Sequence, residues 1–154
     1  MDAKDHQILI VGNDAQARRA LSLLVNHEPG FSVRREVESA AVALEVVRKF
    51  PCDAVIAIFP LKGNARGSID ISWLAAQKPG LAILVISDDD ETLHAMEFIG
   101  AGARGFLMKK DAAQNVTGAL RRMLGGGVYV SERVQREGRS QNMDVLPLGA
   151  RGEG

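Results

Sequence analysis

The chain carries almost no signals of covalent chemistry. It has one cysteine in 154 residues, Cys52, so no internal disulfide forms. The place of Cys52 just before a predicted buried strand points to inert packing rather than redox chemistry. Neither sign of charge dominates, with 19 basic residues against 19 acidic ones, which argues against a dominant nucleic-acid or anionic-membrane surface and leaves only a local patch open. Long apolar runs are missing too. The run after the charged start Met1-Asp-Ala-Lys-Asp-His-Gln covers only Ile8-Leu-Ile-Val11, too short for a secretory segment or a membrane span. A cytoplasmic protein is expected. His6, His27 and His94 have no metal-ligand spacing, which leaves His94 as a surface histidine and predicts no metal. With no nucleophile–base pair either, neither an enzyme nor a cofactor is expected. No internal repeat is present.

What the chain does have is alternation. A composition 46% hydrophobic and 25% charged is that of a globule, and a domain of this length buries roughly 70% of its unfolded surface. Residues 8–11, 53–58 and 81–86 are apolar and bounded by turn residues, as strands buried on both faces are. Residues 31–37, with Arg34, Arg35 and Glu36, suit an edge strand protected by charge; residues 105–109 make a fifth strand. Helices are predicted over 14–27, 40–50 (N-capped by Ser39), 68–77, 89–100 and 112–124, the last ending at Gly125-Gly-Gly127. Strands and helices alternating in this way predict an α/β fold, a doubly wound parallel sheet with helices on both faces. Beyond Ser131 the pattern fails, and residues 132–154, apart from a brief Val145-Leu-Pro-Leu148, are expected to form a flexible tail.

Ile8-Leu-Ile-Val11, Arg18-Arg-Ala-Leu21, Leu84-Val-Ile-Ser87 and above all Gly100-Ala-Gly-Ala-Arg-Gly-Phe-Leu-Met-Lys109, followed by Asp111-Ala112, resemble the receiver domain of two-component response regulators, the LuxR-type branch in particular. Gly127-Val-Tyr-Val-Ser131 resembles the end of such receivers, so the likeness covers residues 6–131. It implies a flavodoxin-like five-stranded sheet in the order 2-1-3-4-5, with a site at the C-terminal strand ends. In the family, acidic residues after the first strand and an acceptor aspartate after the third hold magnesium. The acceptor takes a phosphoryl group from a histidine kinase, and a hydroxyl and a lysine after the fourth and fifth strands bind the phosphate.

Carried over residue by residue, the resemblance leaves half a site. Ser87, Lys109 and Phe106 occupy the hydroxyl, lysine and switch-aromatic positions. Gly12 and Asn13 stand at the acidic positions, and Ile58 stands at the acceptor position, followed by Phe59, Pro60, Leu61, Lys62 and Gly63. A hydrocarbon cannot attack phosphorus, and magnesium needs carboxylate oxygens, so phosphorylation at this site is not expected. Asp14 and the run Asp88-Asp-Asp-Glu91 are expected to cap helix N-termini rather than rebuild a metal site. Asp53 lies at the wrong end of its strand to substitute. Lys109 is expected to face solvent or pair with Asp14 or Asp88. The loop Lys62 to Gly67 matches neither a P-loop nor a dinucleotide fingerprint and predicts a surface loop. Trp73 is expected to pack with a partly wet edge.

The face formed by the fourth helix, fifth strand and fifth helix is the one receivers use to dimerise or dock a partner. Here it is expected to include His94, Glu97, Arg104, Lys110, Asn115 and Arg121. The function expected is an atypical receiver that binds a protein partner or its own copy without being phosphorylated, with no direct contact to nucleic acid or membrane. One alternative is a sensor for a small anionic ligand in the Ser87/Lys109 crevice. The other is a truncated LuxR-type transcriptional regulator, since no second amphipathic helix pair follows Ser131.

Overall fold

The computed structural model describes residues 5–61, 67–88 and 91–140, the side chains of 91–93 and 138–140 excepted. Five parallel strands, β1 (His6–Gly12), β2 (Phe31–Val37), β3 (Ala54–Ile58), β4 (Ala82–Ser87) and β5 (Gly105–Met108), form one sheet in the order β2-β1-β3-β4-β5. The helices α1 (Ala15–His27), α2 (Ala40–Lys49), α3 (Ser68–Gln77), α4 (Glu91–Gly100) and α5 (Lys109–Leu124) connect and follow the strands. This is the doubly wound architecture expected from the alternation, in the order the receiver resemblance implies.

The central strands are apolar because both of their faces are covered. Side chains alternate along each strand, so Ile8, Ile10, Ile56, Ile58 and Leu84 pack beneath α1 and α5. Leu9, Val11, Val55, Ala57 and Val85 pack beneath α2, α3 and α4. Edge strand β2 is the mixed one. Its pairing with β1 slips by one residue, from Ile8↔Val33 to Leu9↔Arg35, so Arg34 bulges out of the ladder. The Asp14 carboxylate accepts from the N–H groups of Gln16 and Ala17, and the Ser39 hydroxyl accepts from the N–H of Val42, which fixes where α1 and α2 begin.

Cys52 is buried, and its Sγ donates to the Ala54 carbonyl at 3.3 Å. Burial pushes its thiol pKa up from 9.0 to about 11, so the native thiol stays protonated below pH 9. A thiol reagent added below that pH is therefore expected to label Cys52 promptly in denaturant and negligibly in the folded chain. The sign for stability follows. The unfolded thiol ionises first, so the stabilisation is complete below pH 9 and is lost as pH rises toward about 11.

Two expectations need correction. Strand β5 ends at Met108, the last residue with a partner on β4 (Ser87), and Lys109 opens α5 instead of closing the strand. From Glu132 the chain does not pass straight into an irregular tail, because Glu132–Ser140 forms a further helix, α6. The Ser131 hydroxyl accepts from the N–H of Val134 at 3.2 Å, and Arg136–Glu132 and Arg133–Glu137 pair one turn apart. Val134 is the apolar anchor, fully buried, and α6 lies against α4. Just before α6, Tyr129 pairs with the free edge of β5, its N–H donating to Arg104 O at 2.8 Å and its carbonyl accepting from Phe106 N–H at 2.9 Å. Residues 141–154, with Val145-Leu-Pro-Leu148, lie outside the described residues.

Candidate functional site

The sheet order reverses at β1, with β2 on one side and β3 on the other, so the loops after β1 and β3 part at the C-terminal strand ends. That divergence is where open α/β sheets bind ligands. Gly12 and Ile58 face each other there in register, with Ile86 next along. Ile58 is 4% exposed and belongs to the core beneath α1 and α5. A Cβ built on Gly12 would sit 3.1 Å from both the Cβ and the carbonyl oxygen of Ile58, so the absence of a side chain at Gly12 lets the two strand ends close.

Backbone bonds lace the mouth shut. Asn13 N–H donates to Pro60 O at 3.1 Å, and Phe59 N–H donates to Ile86 O at 2.9 Å. The Asn13 side chain is exposed, and Leu61 is buried in the opposite core. Asp14 turns to its own helix as a cap, as expected. Asp53 sits at the opposite end of β3, where its carboxylate accepts from Gln7 N–H at 2.7 Å. Among the described residues no group of three or more His, Cys, Asp or Glu side chains gathers.

Ser87 and Lys109 lie at the ends of neighbouring strands, but their environments differ. Ser87 is 2% exposed, whereas Lys109 is exposed and makes no hydrogen bond or ion pair among the described residues. Phe106 points inward at 1% exposure. Its ring stacks on Phe98 of α4, with centroids 6.1 Å apart, and Phe98 meets Phe59 of the β3–α3 loop at 5.0 Å. This three-ring column ties the candidate acceptor loop to α4 and β5. The pairing of Phe59 with Phe98 is not visible in the sequence. Their only signal is aromatic character, and nothing in the local pattern pairs residues so far apart.

The six residues expected on one face have different partners. Arg121 pairs with Glu28 at the end of α1, and its guanidinium lies 5.4 Å over the Phe31 ring. It therefore belongs to the α1/β2 side, because an aromatic and a carboxylate there offer a better partner than solvent. Glu97 accepts from the Ser68 hydroxyl at 3.1 Å and sits 3.8 Å from His94, which places it toward α3. His94 is half-buried, 6.4 Å from the Phe98 ring. Arg104 reaches Met123 O at 3.5 Å, and the Asn115 amide donates to Asp111 O at 3.0 Å. Lys110 is exposed.

Trp73 is 49% exposed, more open than the partly wet packing expected of it. Asp88 is exposed, whereas Asp89, Asp90 and residues 62–66 lie outside the described residues.

The comparisons with known proteins agree with this geometry. The family model described as response regulator receiver domain matches residues 8–121. The nitrate/nitrite response regulator protein NarP of Escherichia coli is 25% identical over 142 residues, covering 92% of this chain and 66% of that protein. The transcriptional regulatory protein DegU of Brevibacillus brevis is 25% identical over 128 residues, covering 83% and 54%. The chain thus spans between about half and two thirds of the length of these relatives. A LuxR-family two-component response regulator from Aurantimonas superposes with a TM-score of 0.81 at 20% identity, covering 90% of this chain and 98% of that one. The isolated receiver domain of RcsB from Salmonella enterica, solved with a beryllofluoride phosphomimetic, gives 0.77 at 16% identity, covering 86% and 97%. Among the described residues no helix is long and apolar enough to cross a membrane.

Proposed function

The chain belongs to the response regulator receiver domain family, and from that premise we propose that it is a receiver of the LuxR-type branch that does not undergo aspartyl phosphorylation and signals by binding a protein partner or a second copy of itself. The observation that carries this is the occupant of the β3 end. Ile58, at the acceptor position, is a buried hydrocarbon closed against Gly12. The residues at the magnesium positions do not fit the ion either. Gly12 has no donor side chain, Ile58 has no oxygen, and Asn13 is turned to solvent, whereas magnesium demands one or two carboxylates plus phosphate oxygens. No phosphoryl-transfer step is derived through it.

The ring column Phe59–Phe98–Phe106 supports the same conclusion. A switch needs a ligand that favours one of two states. Here the inward aromatic is already stacked on Phe98, which in turn meets Phe59. The domain then works as a fixed surface in the cytoplasm, with the signal carried by partner binding or protein level. On the docking side, His94, Arg104, Lys110 and Asn115 remain as candidates, while Arg121 and Glu97 are committed elsewhere.

Amide NMR spectra recorded with and without magnesium and beryllofluoride test the proposal. The expected result is no clustered change; large shifts around Ser87, Phe106 and Lys109 overturn it. A second reading, that this receiver serves as one unit of a longer LuxR-type regulator, is favoured by the greater length of NarP and DegU.

A further inference from the structure

A second concave site lies between α1 and β2. Helix α1 and the edge strand β2 enclose an open groove of about 360 Å³ lined by Arg18, Arg19, Ser22, Asn26, Arg34 and Glu36, among others. Its charge is lopsided. The Glu36 carboxylate is shared between Arg18 Nε at 3.6 Å and Arg19 Nε at 3.5 Å, and it accepts from the buried Ser22 hydroxyl at 2.8 Å. One carboxylate therefore serves two guanidiniums, and Arg34 adds a third with no hydrogen bond or ion pair among the described residues. Arg35, one residue on, also lines the groove, and its guanidinium lies over the Phe50 ring at 3.7 Å. On a chain whose charges balance, 19 against 19, this is a local excess of donors.

The donors are also poorly satisfied. Arg18 Nε is buried and makes no hydrogen bond, although the Nη1 of the same guanidinium donates to Gly12 O at 2.6 Å. A buried, unmatched N–H of a charged group costs free energy unless something accepts from it. Arg34 is the residue the ladder skips, and a bulge of this kind re-aims the side chain of an edge strand. Asn26 spends its carbonyl oxygen on Val33 N–H at 2.8 Å, which leaves its amide hydrogens to donate.

We propose that this groove binds a small ligand carrying two linked phosphates, a nucleoside diphosphate or free pyrophosphate. Guanidinium forks match phosphate oxygens two bonds at a time. Because the forks come from two elements, Arg18 and Arg19 from α1 and Arg34 from β2, a bridging diphosphate satisfies both walls better than one phosphate does. Nucleic acid is the poorer fit, since a chain of balanced charge provides no extended field along a polyanion. Arg18 ties the groove to the crevice, because the same guanidinium holds the Gly12 carbonyl at the β1 end.

The test is an amide NMR titration of the full chain with inorganic pyrophosphate, then with ADP, at constant ionic strength. It is repeated on the double variant Arg19→Ala/Arg34→Ala, which removes exposed side chains only and leaves the spectrum of the fold unchanged. Saturable shifts confined to residues 18–26 and 33–36, with affinity falling about tenfold in the variant, are expected. Tighter binding of ADP than of pyrophosphate assigns a nucleoside diphosphate, and equal binding assigns the diphosphate alone. Equal affinity of wild type and variant overturns the proposal. So does an identical response to sulfate, binding of a short oligodeoxythymidine without any of pyrophosphate, or the absence of groove shifts at millimolar pyrophosphate.

Discussion

Replacing Phe98 by alanine is expected to lower the unfolding free energy by about 3–5 kcal/mol, the range for deleting a buried Phe ring. Phe98 is 4% exposed and is the middle ring of the column, in contact with Phe59 on one side and Phe106 on the other. Its loss leaves a cavity between the β3–α3 loop, α4 and β5. For a domain of this size each kcal/mol moves Tm by about 3–4 °C, so thermal unfolding followed by circular dichroism should shift down by roughly 10 °C or more. Phe98→Leu separates the two parts of the effect. It keeps most of the apolar volume and loses the ring stacking, so it should cost less than half as much. The functional reading predicts more than lost stability. With Phe98→Ala the Phe106 ring loses its stacking partner, and its aromatic proton resonances should broaden or average. If they stay sharp and unshifted in Phe98→Ala, the column does not hold the switch aromatic.

The parts legible in the sequence are those where local chemistry and tertiary environment agree. Strands β3 and β4 show as continuous apolar runs because both of their faces are covered, and alternation would have been the wrong pattern for them. The starts of α1 and α2 show as Asp14 and Ser39 because a cap is a contact within three residues. Gly12 and Ile58 show in the sequence as strand ends without a carboxylate. What the sequence hid are contacts that join distant residues. Helix α6 reads as a charged tail because, among its described side chains, Val134 alone is buried, and its anchorage depends on α4. Arg121 looks like a member of the docking face, yet its partners Glu28 and Phe31 are some 90 positions away and pull it to the other side of α5. The charges of β2 read as those of an edge strand, which β2 is. That Glu36 also gathers Arg18, Arg19 and Ser22 depends on the register of β2 against β1 and the bulge at Arg34, and no periodicity encodes that.

Placing an aspartate at the β3 end is expected to damage the fold without conferring phosphorylation. Ile58→Asp places a carboxyl where the side chain is 4% exposed and packed beneath α1 and α5, and an unpaired group in that position costs about 3 kcal/mol or more. Burial raises the pKa of the introduced carboxyl above its unfolded value, so the penalty is smallest at low pH, where the group is neutral in both states, and grows as pH rises through the carboxylate range. Ile58→Asn removes the ionisation and keeps the polarity, so its penalty should not vary with pH across that range. Comparing denaturation midpoints of the two variants at acid and neutral pH checks the sign. The same protein, incubated with magnesium and acetyl phosphate, should show no phosphate adduct by intact mass spectrometry. Its nucleophile would face Gly12 and Asn13, neither of which supplies the carboxylate that holds the metal and offsets the charge of the transferred group. Adding Gly12→Asp and Asn13→Asp supplies those carboxylates, but the first of them must push Ile58's position aside, since a Cβ at Gly12 comes within 3.1 Å of its Cβ and carbonyl oxygen. The missing side chain at 12 and the close approach of Ile58 are thus one structural feature, and substitution at 58 alone should leave it in place. Efficient phosphorylation of the single Ile58→Asp variant would refute that coupling.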